Sequence, residues 1–264
     1  MHRTVSSTVL VAVEEPSDLV FSVAVAHRGH GLRSVFEATL DGKSVLGGVV
    51  DDEHGTVLHR VRSTPGILRV QYSAEIDGRA EPAPASERDL IRYLRPSRYA
   101  ESDALAPTAE AEFSGLESES LLHAVSSWVG TTVAYVSGSS LPTDGAVRTL
   151  LSRTGVCRDF AHLCVALLRA RGIPARLVSV YAPGLEPMDF HAVCEAFVEG
   201  RWLVVDATTL APRSSLVRIA TGRDAADTAF MTILSGTAEL QSVEVNAVVD
   251  ELPNDHLADA VQLG

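Results

Sequence analysis

The chain has 264 residues, 46% of them hydrophobic and only 5% aromatic, so it can bury a sizeable core built mainly from Val, Leu and Ala. Its formal net charge of −12 argues against a nucleic-acid partner, because no local basic face offsets it: Arg169, Arg171 and Arg176 are scattered around a helix and the strand after it. No apolar run is long enough to span a bilayer, and the apolar patch before Glu14-Glu15-Pro16 lacks the long core and cleavage site of a signal peptide, so a strand and a cytoplasmic protein are expected.

The first eighty residues read as β. Short alternating runs lie at Val5–Val13, Leu19–Ala26, Ser34–Leu40, Val57–Val61 and Ile67–Ile76, with turns at Asp41-Gly42, His54-Gly55 and Asp77-Gly78. This spacing predicts a sandwich-like β domain over residues 1–85, with Glu81–Ser86 as a linker into a second domain over residues 86–264. His27, His30, His54 and His59 fall on separate runs and form no reactive set.

A polar, alanine-rich connection follows Leu90–Tyr99. Leu116–Val129 has helical spacing, with Leu121, Leu122, Val125, Trp128 and Val129 on one face, and Gly145–Leu151 predicts another short helix. The pattern of Val156–Arg171 is strongly helical, with Phe160, Leu163, Cys164, Leu167 and Leu168 on one stripe. Thr154 is the expected N-cap, Gly172 stands at the C-cap, and Pro174 blocks continuation. Cys157 lies at the head of this helix and on the stripe with Phe160, Cys164 and Leu168, so its side chain points inward. Three strands come next: Ala175–Tyr181, His191–Val198 and Trp202–Asp206, the last two joined by a tight turn at Glu199-Gly200.

That hairpin fixes a register. If Val198 pairs with Arg201, Val193 faces Asp206 and His191 faces Thr208. Paired residues share a sheet face, so His191 and Asp206 become diagonal neighbours with Cα atoms about 7–8 Å apart, within reach of a side-chain hydrogen bond. A helix laid across that face would bring Cys157 to the imidazole.

Cys, His and Asp in this arrangement can transfer acyl groups. The thiolate is the nucleophile, and a helix N-terminus favours negative charge. His191 would move the protons, and Asp206 would hold the imidazole in orientation. The backbone N–H of Cys157 is a natural oxyanion donor. Trp128 and Tyr135 are candidates for the second.

The stretches G-V-C-R-D-F-A-H-L (155–163), D-F-H-A-V-C-E-A-F (189–197) and G-R-W-L-V-V-D-A-T (200–208) resemble the three motif blocks of the transglutaminase-like superfamily. Arg218–Phe230 and Tyr93–Tyr99 are also similar to its bacterial branch of cysteine peptidases, in which a β-rich domain precedes the catalytic core. The resemblance implies an α+β, papain-like core with a catalytic helix on an antiparallel sheet. It places the nucleophile on Cys157, the histidine on His191 and the aspartate on Asp206, with no cofactor and with a peptide or protein as substrate. Val193 stands where tryptophan is usual after the H-A pair, and Ala207 where proline usually follows the aspartate.

The blander readings are these. Cys164 and Cys194 are expected to be buried structural thiols. The odd, low cysteine count suits a reducing compartment. His162 is expected on the helix surface or in packing, and Asp159 is expected to serve the helix dipole. Arg213, Arg218, Arg223 and Asp224 are expected to form a solvated ion-pair lattice. A metal site from Cys157, His162, Cys164, His191 and Cys194 is the rival constellation, disfavoured because it lacks a C-x-x-C knuckle or a closely spaced histidine pair. A non-catalytic binding protein on the same fold is the other alternative. Between hydrolysis of amide bonds and transfer to an amine, hydrolysis is expected.

Overall fold

The computed structural model describes all of residues 1–264. The first seven strands are β1 (His2–Val13), β2 (Ser17–Phe21), β3 (Gly31–Leu40), β4 (Lys43–Ser44), β5 (Gly47–Asp51), β6 (Val57–Ser63) and β7 (Gly66–Asp77). In β7 every second residue from Leu68 to Ile76 is buried, the period of two that the sequence carries. Two strands from late in the chain, the short β14 (Met231–Ser235) and the long β15 (Ala238–Val249), join them. The result is a sandwich of one five-stranded sheet, β15-β1-β7-β3-β4, and one four-stranded sheet, β14-β2-β6-β5. Val5, Val9, Leu19, Phe21, Val61 and Val70 lie at its centre.

The sandwich is therefore not confined to residues 1–85. β15 runs antiparallel to β1 from Arg3↔Val249 to Val13↔Ala238, and β14 pairs with β2 from Met231↔Phe21. Without β15, β1 would present an unpaired edge. The chain leaves the sandwich after β7, builds the second layer system, and returns to close both sheets.

Between these passes lie α1 (Glu87–Arg92), α2 (Ala106–Phe113), α3 (Ser118–Thr132), β8 (Ala134–Tyr135), α4 (Ala146–Ser152), β9 (Thr154–Gly155), α5 (Cys157–Ala170), β10 (Ala175–Tyr181), β11 (Phe190–Val198), β12 (Arg201–Val205), β13 (Val217–Gly222) and α6 (Ala225–Thr228). The stretch after Tyr99 expected to be a plain connection thus holds a helix, α2, and another, α1, precedes it. Ser86 caps α1 in a reciprocal box with Asp89, and Pro107 opens α2. The sheet order is β12-β11-β10-β13, all antiparallel. The hairpin register comes out as expected: Val198↔Arg201 through Cys194↔Val205.

Helix α5 is the axis of this half. It is buried continuously from Asp159 to Arg169, not along one stripe alone. Its apolar residues pack with Cys194, Ala196, Leu203 and Val205 of the sheet and with Leu121, Val125 and Val129 of α3. Its polar residues are used inside. Arg169 donates to the carbonyls of Arg95, Ala175 and Arg223 and to Ser97 Oγ. His162 is fully buried, accepts the Ala225 N–H at 3.1 Å, and stacks on Tyr99. Burial lowers its pKa to about 3, so it is a neutral packing residue rather than a surface one. Segments 93–99 and 218–230 are thereby drawn together around α5.

The expected arginine lattice does not form. Arg218 is buried against Glu195, which also binds Arg176. Arg213 is buried against Asp255, Arg223 pairs with Asp227 near the surface, and Asp224 caps α6 and accepts the Tyr99 N–H. These groups are spread over different layers, which a linear reading of the charges cannot see. No helix is long and apolar enough to cross a membrane.

Candidate active site

Cys157 is the first residue of α5 and is half-buried. The helix start is held by Asp159, not by Thr154: Asp159 Oδ2 accepts the Val156 N–H at 2.8 Å, while Thr154 belongs to the short parallel bridge between β9 and β8. Gly155 is needed here because a Cβ on it would come within 2.7 Å of the Asp159 Cβ. Arg158 Nη2 then ties this turn to the 136–144 loop, donating to Asp159 Oδ1, Ser140 Oγ and the Leu141 carbonyl.

His191 and Asp206 meet as the register required. The imidazole Nε2 donates to Asp206 Oδ2 at 2.8 Å, and both side chains are almost wholly buried. The other carboxylate oxygen, Oδ1, accepts the Thr208 N–H at 2.9 Å and the Thr208 hydroxyl at 2.7 Å. Asp206 is thus fixed at one oxygen and offers the other to histidine. Its backbone is fixed as well, since α3 approaches so closely that a Cβ on Gly130 would lie 2.7 Å from the Ala207 carbonyl oxygen. Thr208 and Gly130 were not singled out in the sequence. The D-x-T spacing of an Asx-type turn was the signal for the first, whereas nothing local marks the second.

The electrostatics follow from the geometry. Burial opposes a charged imidazole, but the Asp206 carboxylate overcomes it, and with help from the neighbouring Cys157 thiol the pKa of His191 rises to about 10. Burial likewise opposes the Asp206 carboxylate, and the imidazolium and Thr208 outweigh it, so its pKa falls. The second imidazole nitrogen, Nδ1, has no hydrogen-bond partner at normal length. The Cys157 thiol acts on the ring, though no hydrogen bond of normal length joins them. Such looseness is common in a site without substrate.

One detail of the assembly differs from expectation. Helix α5 packs on the sheet residues Cys194 and Ala196, whereas His191 belongs to the alternate set with Val193, which packs with Val178, Val180 and Val204. The helix does not lie flat over the histidine's face. Cys157 reaches the imidazole because it stands in the first helical turn, at the end of the sheet where β11 begins and β12 has finished. Val193, the departure from the usual tryptophan, is buried in that alternate cluster.

Tyr135, on β8, reaches the same place. The pKa of its hydroxyl is raised to about 12 by burial and by the neighbouring Cys157. Trp128 points elsewhere, donating to Glu112. Cys164 and Cys194 are buried in the core, where burial pushes both thiols up. The five-residue metal constellation is not assembled, because His162 is spent on Ala225 and Tyr99 and the thiols of Cys164 on α5 and Cys194 on β11 are packed in the apolar core. A groove of about 490 Å³ lies behind Asp206, between α3 and residues 257–260, but neither Cys157 nor His191 lines it.

Known proteins give this geometry a family. The model of the transglutaminase-like superfamily matches residues 109–207, a span that contains Cys157, His191 and Asp206. A candidate cysteine protease from Cytophaga hutchinsonii, known from its crystal structure, is 32% identical, with 99% of this chain and 96% of that one covered and a TM-score of 0.89. An uncharacterised protein of Mycobacterium tuberculosis (strain H37Rv) is 34% identical over 211 residues, and the match spans 74% of this chain and 60% of that protein's length. An uncharacterised protein of Mycobacterium leprae is 29% identical over 117 residues, 40% of this chain and 41% of that one. Helix, sheet and sandwich agree with the Cytophaga structure along almost their whole length, and the chain belongs to the transglutaminase-like superfamily.

Proposed function

We propose that the protein is a thiol-dependent acyl-transfer enzyme that hydrolyses peptide or isopeptide amide bonds with Cys157, His191 and Asp206. The observation that carries this reading is the histidine's divided loyalty: Nε2 is bound to a buried carboxylate, while Nδ1 has no hydrogen-bond partner and the half-buried Cys157 at the helix head acts on the same ring. An imidazolium held beside the sulfur is the partner a thiolate nucleophile needs.

In the reaction, the Cys157 sulfur attacks the amide carbon. The carbonyl π electrons move to oxygen, and the backbone N–H of Cys157 and the Tyr135 hydroxyl donate to the resulting oxyanion. The C–N bond then breaks, His191 Nδ1 gives its proton to the departing nitrogen, and a thioester remains. Water attacks the thioester while His191 takes its proton, and the carboxylic acid leaves as the sulfur is regenerated. Asp206 keeps the ring in place through both steps.

The likeness to the Cytophaga protein, described as a cysteine protease candidate, supports hydrolysis over transfer to an amine. Three unpaired cysteines fit a reducing, cytoplasmic setting. The test is a peptide library that includes glutaminyl peptides, incubated with and without a primary amine and read by mass spectrometry. Release of new carboxyl ends that requires Cys157 is expected. Amine incorporation at glutamine without hydrolysis would instead make the protein a transglutaminase, and neither product would contradict catalysis.

A further inference from the structure

The mouth of the site carries an unspent charge. Asp189 directly precedes β11 and is exposed. Phe190, the first strand residue, turns its ring to Phe230 and Tyr181 on the sandwich side. Side chains alternate along an extended backbone, so Asp189 and His191 project to the other side, about 7 Å apart along the chain. The two groups sense each other, and Asp189 also acts on Tyr135. One Asp189 oxygen, Oδ1, accepts the Phe190 N–H at 2.7 Å. No basic side chain lies within ion-pair distance of its carboxylate.

The other groups around Cys157 leave this charge uncancelled. The nearby cation, Arg158, is committed to Asp159 and to the loop oxygens of Ser140 and Leu141. That loop adds another carboxylate, Asp144, which accepts the Leu141 N–H. The same region also exposes apolar groups, Tyr135 of β8 and Val136 and Leu141 of the loop. The His191 imidazolium is already balanced by Asp206. An exposed carboxylate two residues before the catalytic histidine, with no cation of its own, is placed to receive a cation with an aliphatic stem.

We propose that Asp189 is a specificity-determining residue that receives a basic side chain, lysine or arginine, beside the scissile bond of a peptide substrate. The proposal rests on the acyl-transfer reading given above. The ion pair forms at the exposed rim, where it orients the peptide without burying an unpaired charge.

The test needs no known substrate. Three methanethiosulfonates are reacted with Cys157 in the intact protein, one bearing a trimethylammonium group, one a sulfonate and one uncharged, with rates read by mass spectrometry. Each rate is divided by that of a small neutral thiol. In the wild type the cationic reagent is expected to outpace the anionic one by about 10-fold or more at low salt, with the ratio shrinking as salt is added. Asp189→Asn keeps the acceptor for the Phe190 N–H and is expected to lower the ratio several-fold, while Asp189→Glu keeps it. Glu239→Gln, the same charge change at an exposed position on β15, is expected to leave it unmoved. An unchanged ratio in Asp189→Asn, or an equal fall in Glu239→Gln, overturns the proposal. The uncharged reagent reports separately on the thiol: if its rate at Cys157 is ordinary and indifferent to His191→Ala, the underlying catalytic reading fails instead.

Discussion

Strand β11 carries two buried charged groups on the same side, four residues apart, and they are handled in opposite ways. Glu195 is clasped by Arg176 and Arg218, with Arg176 also stacked 3.8 Å from the Trp202 ring, and its pKa falls to about 2 because these cations outweigh its burial. His191 has one nitrogen bound to Asp206 and one left over. The first cluster is closed and the second is open. Both perturb their pKa values strongly, so perturbation alone does not mark a catalytic group; the unused valence beside a thiol does. The partners differ as well. Arginine cannot shed its proton, whereas histidine can.

The sharpest separation is expected from Cys157→Ser. With the reacting atom replaced, turnover falls by about 10⁴-fold or more, while Cys164→Ala folds and keeps turnover, as steady-state assays would show. Asp206→Asn is next. It loses about 10⁴-fold in kcat through the wrong tautomer and orientation, and costs less folding stability than Glu195→Gln, because a buried His191 left without its partner can shed its proton. Glu195→Gln inverts this pattern. It strands two buried guanidinium groups and costs about 3–5 kcal/mol in urea unfolding, with the remaining folded fraction still active. If Asp206→Asn destabilises as much as Glu195→Gln, the distinction between open and closed clusters is lost.

The pH dependence of stability sharpens the same contrast. The folded-state pKa of His191 lies above its ordinary value, so its contribution is fully present below about 6.5 and is lost as pH rises toward about 10. Asp206 is depressed, so its share is present above about 4 and is lost in acid. The stability advantage of wild type over His191→Gln, measured by urea unfolding, is expected to shrink from pH 7 to pH 10. A constant advantage would mean that the imidazole is uncharged in the folded protein. The smallest effect is expected from Gly130→Ala. The new methyl meets the Ala207 carbonyl, so overpacking costs about 1–3 kcal/mol and moves Asp206. Turnover should fall more than substrate binding.

The sequence made local and periodic features legible. The hairpin at Glu199-Gly200 defined a register, and the register put His191 and Asp206 within reach. The helix at Cys157 showed in its spacing, and so did most of the early strands. The closing strands did not. In β15 only Val245 and Ala247 are buried, and β14 has no buried residue, so neither carries a clear period-two signal. Their pairing with β1 and β2 spans more than 200 residues of chain, and no local pattern encodes that. Buried charge was also hidden. Arg169, His162 and Arg218 look like surface residues until the segments that satisfy them are brought in from elsewhere. The nearness of Tyr135 to the nucleophile came from the bridge between β8 and β9, two residues long and invisible to any periodicity.

The central claim is that Cys157 is an activated thiol served by His191, and alkylation with iodoacetamide near neutral pH tests it directly. Rates at the three cysteines of the native protein are followed by mass spectrometry, in the wild type and in His191→Ala. Cys157 is expected to label at least about 100-fold faster than the buried Cys164 and Cys194 and clearly faster than a free small thiol, with that excess lost in His191→Ala. Labelling of Cys157 no faster than a free thiol, and unchanged when the imidazole is removed, would contradict the account.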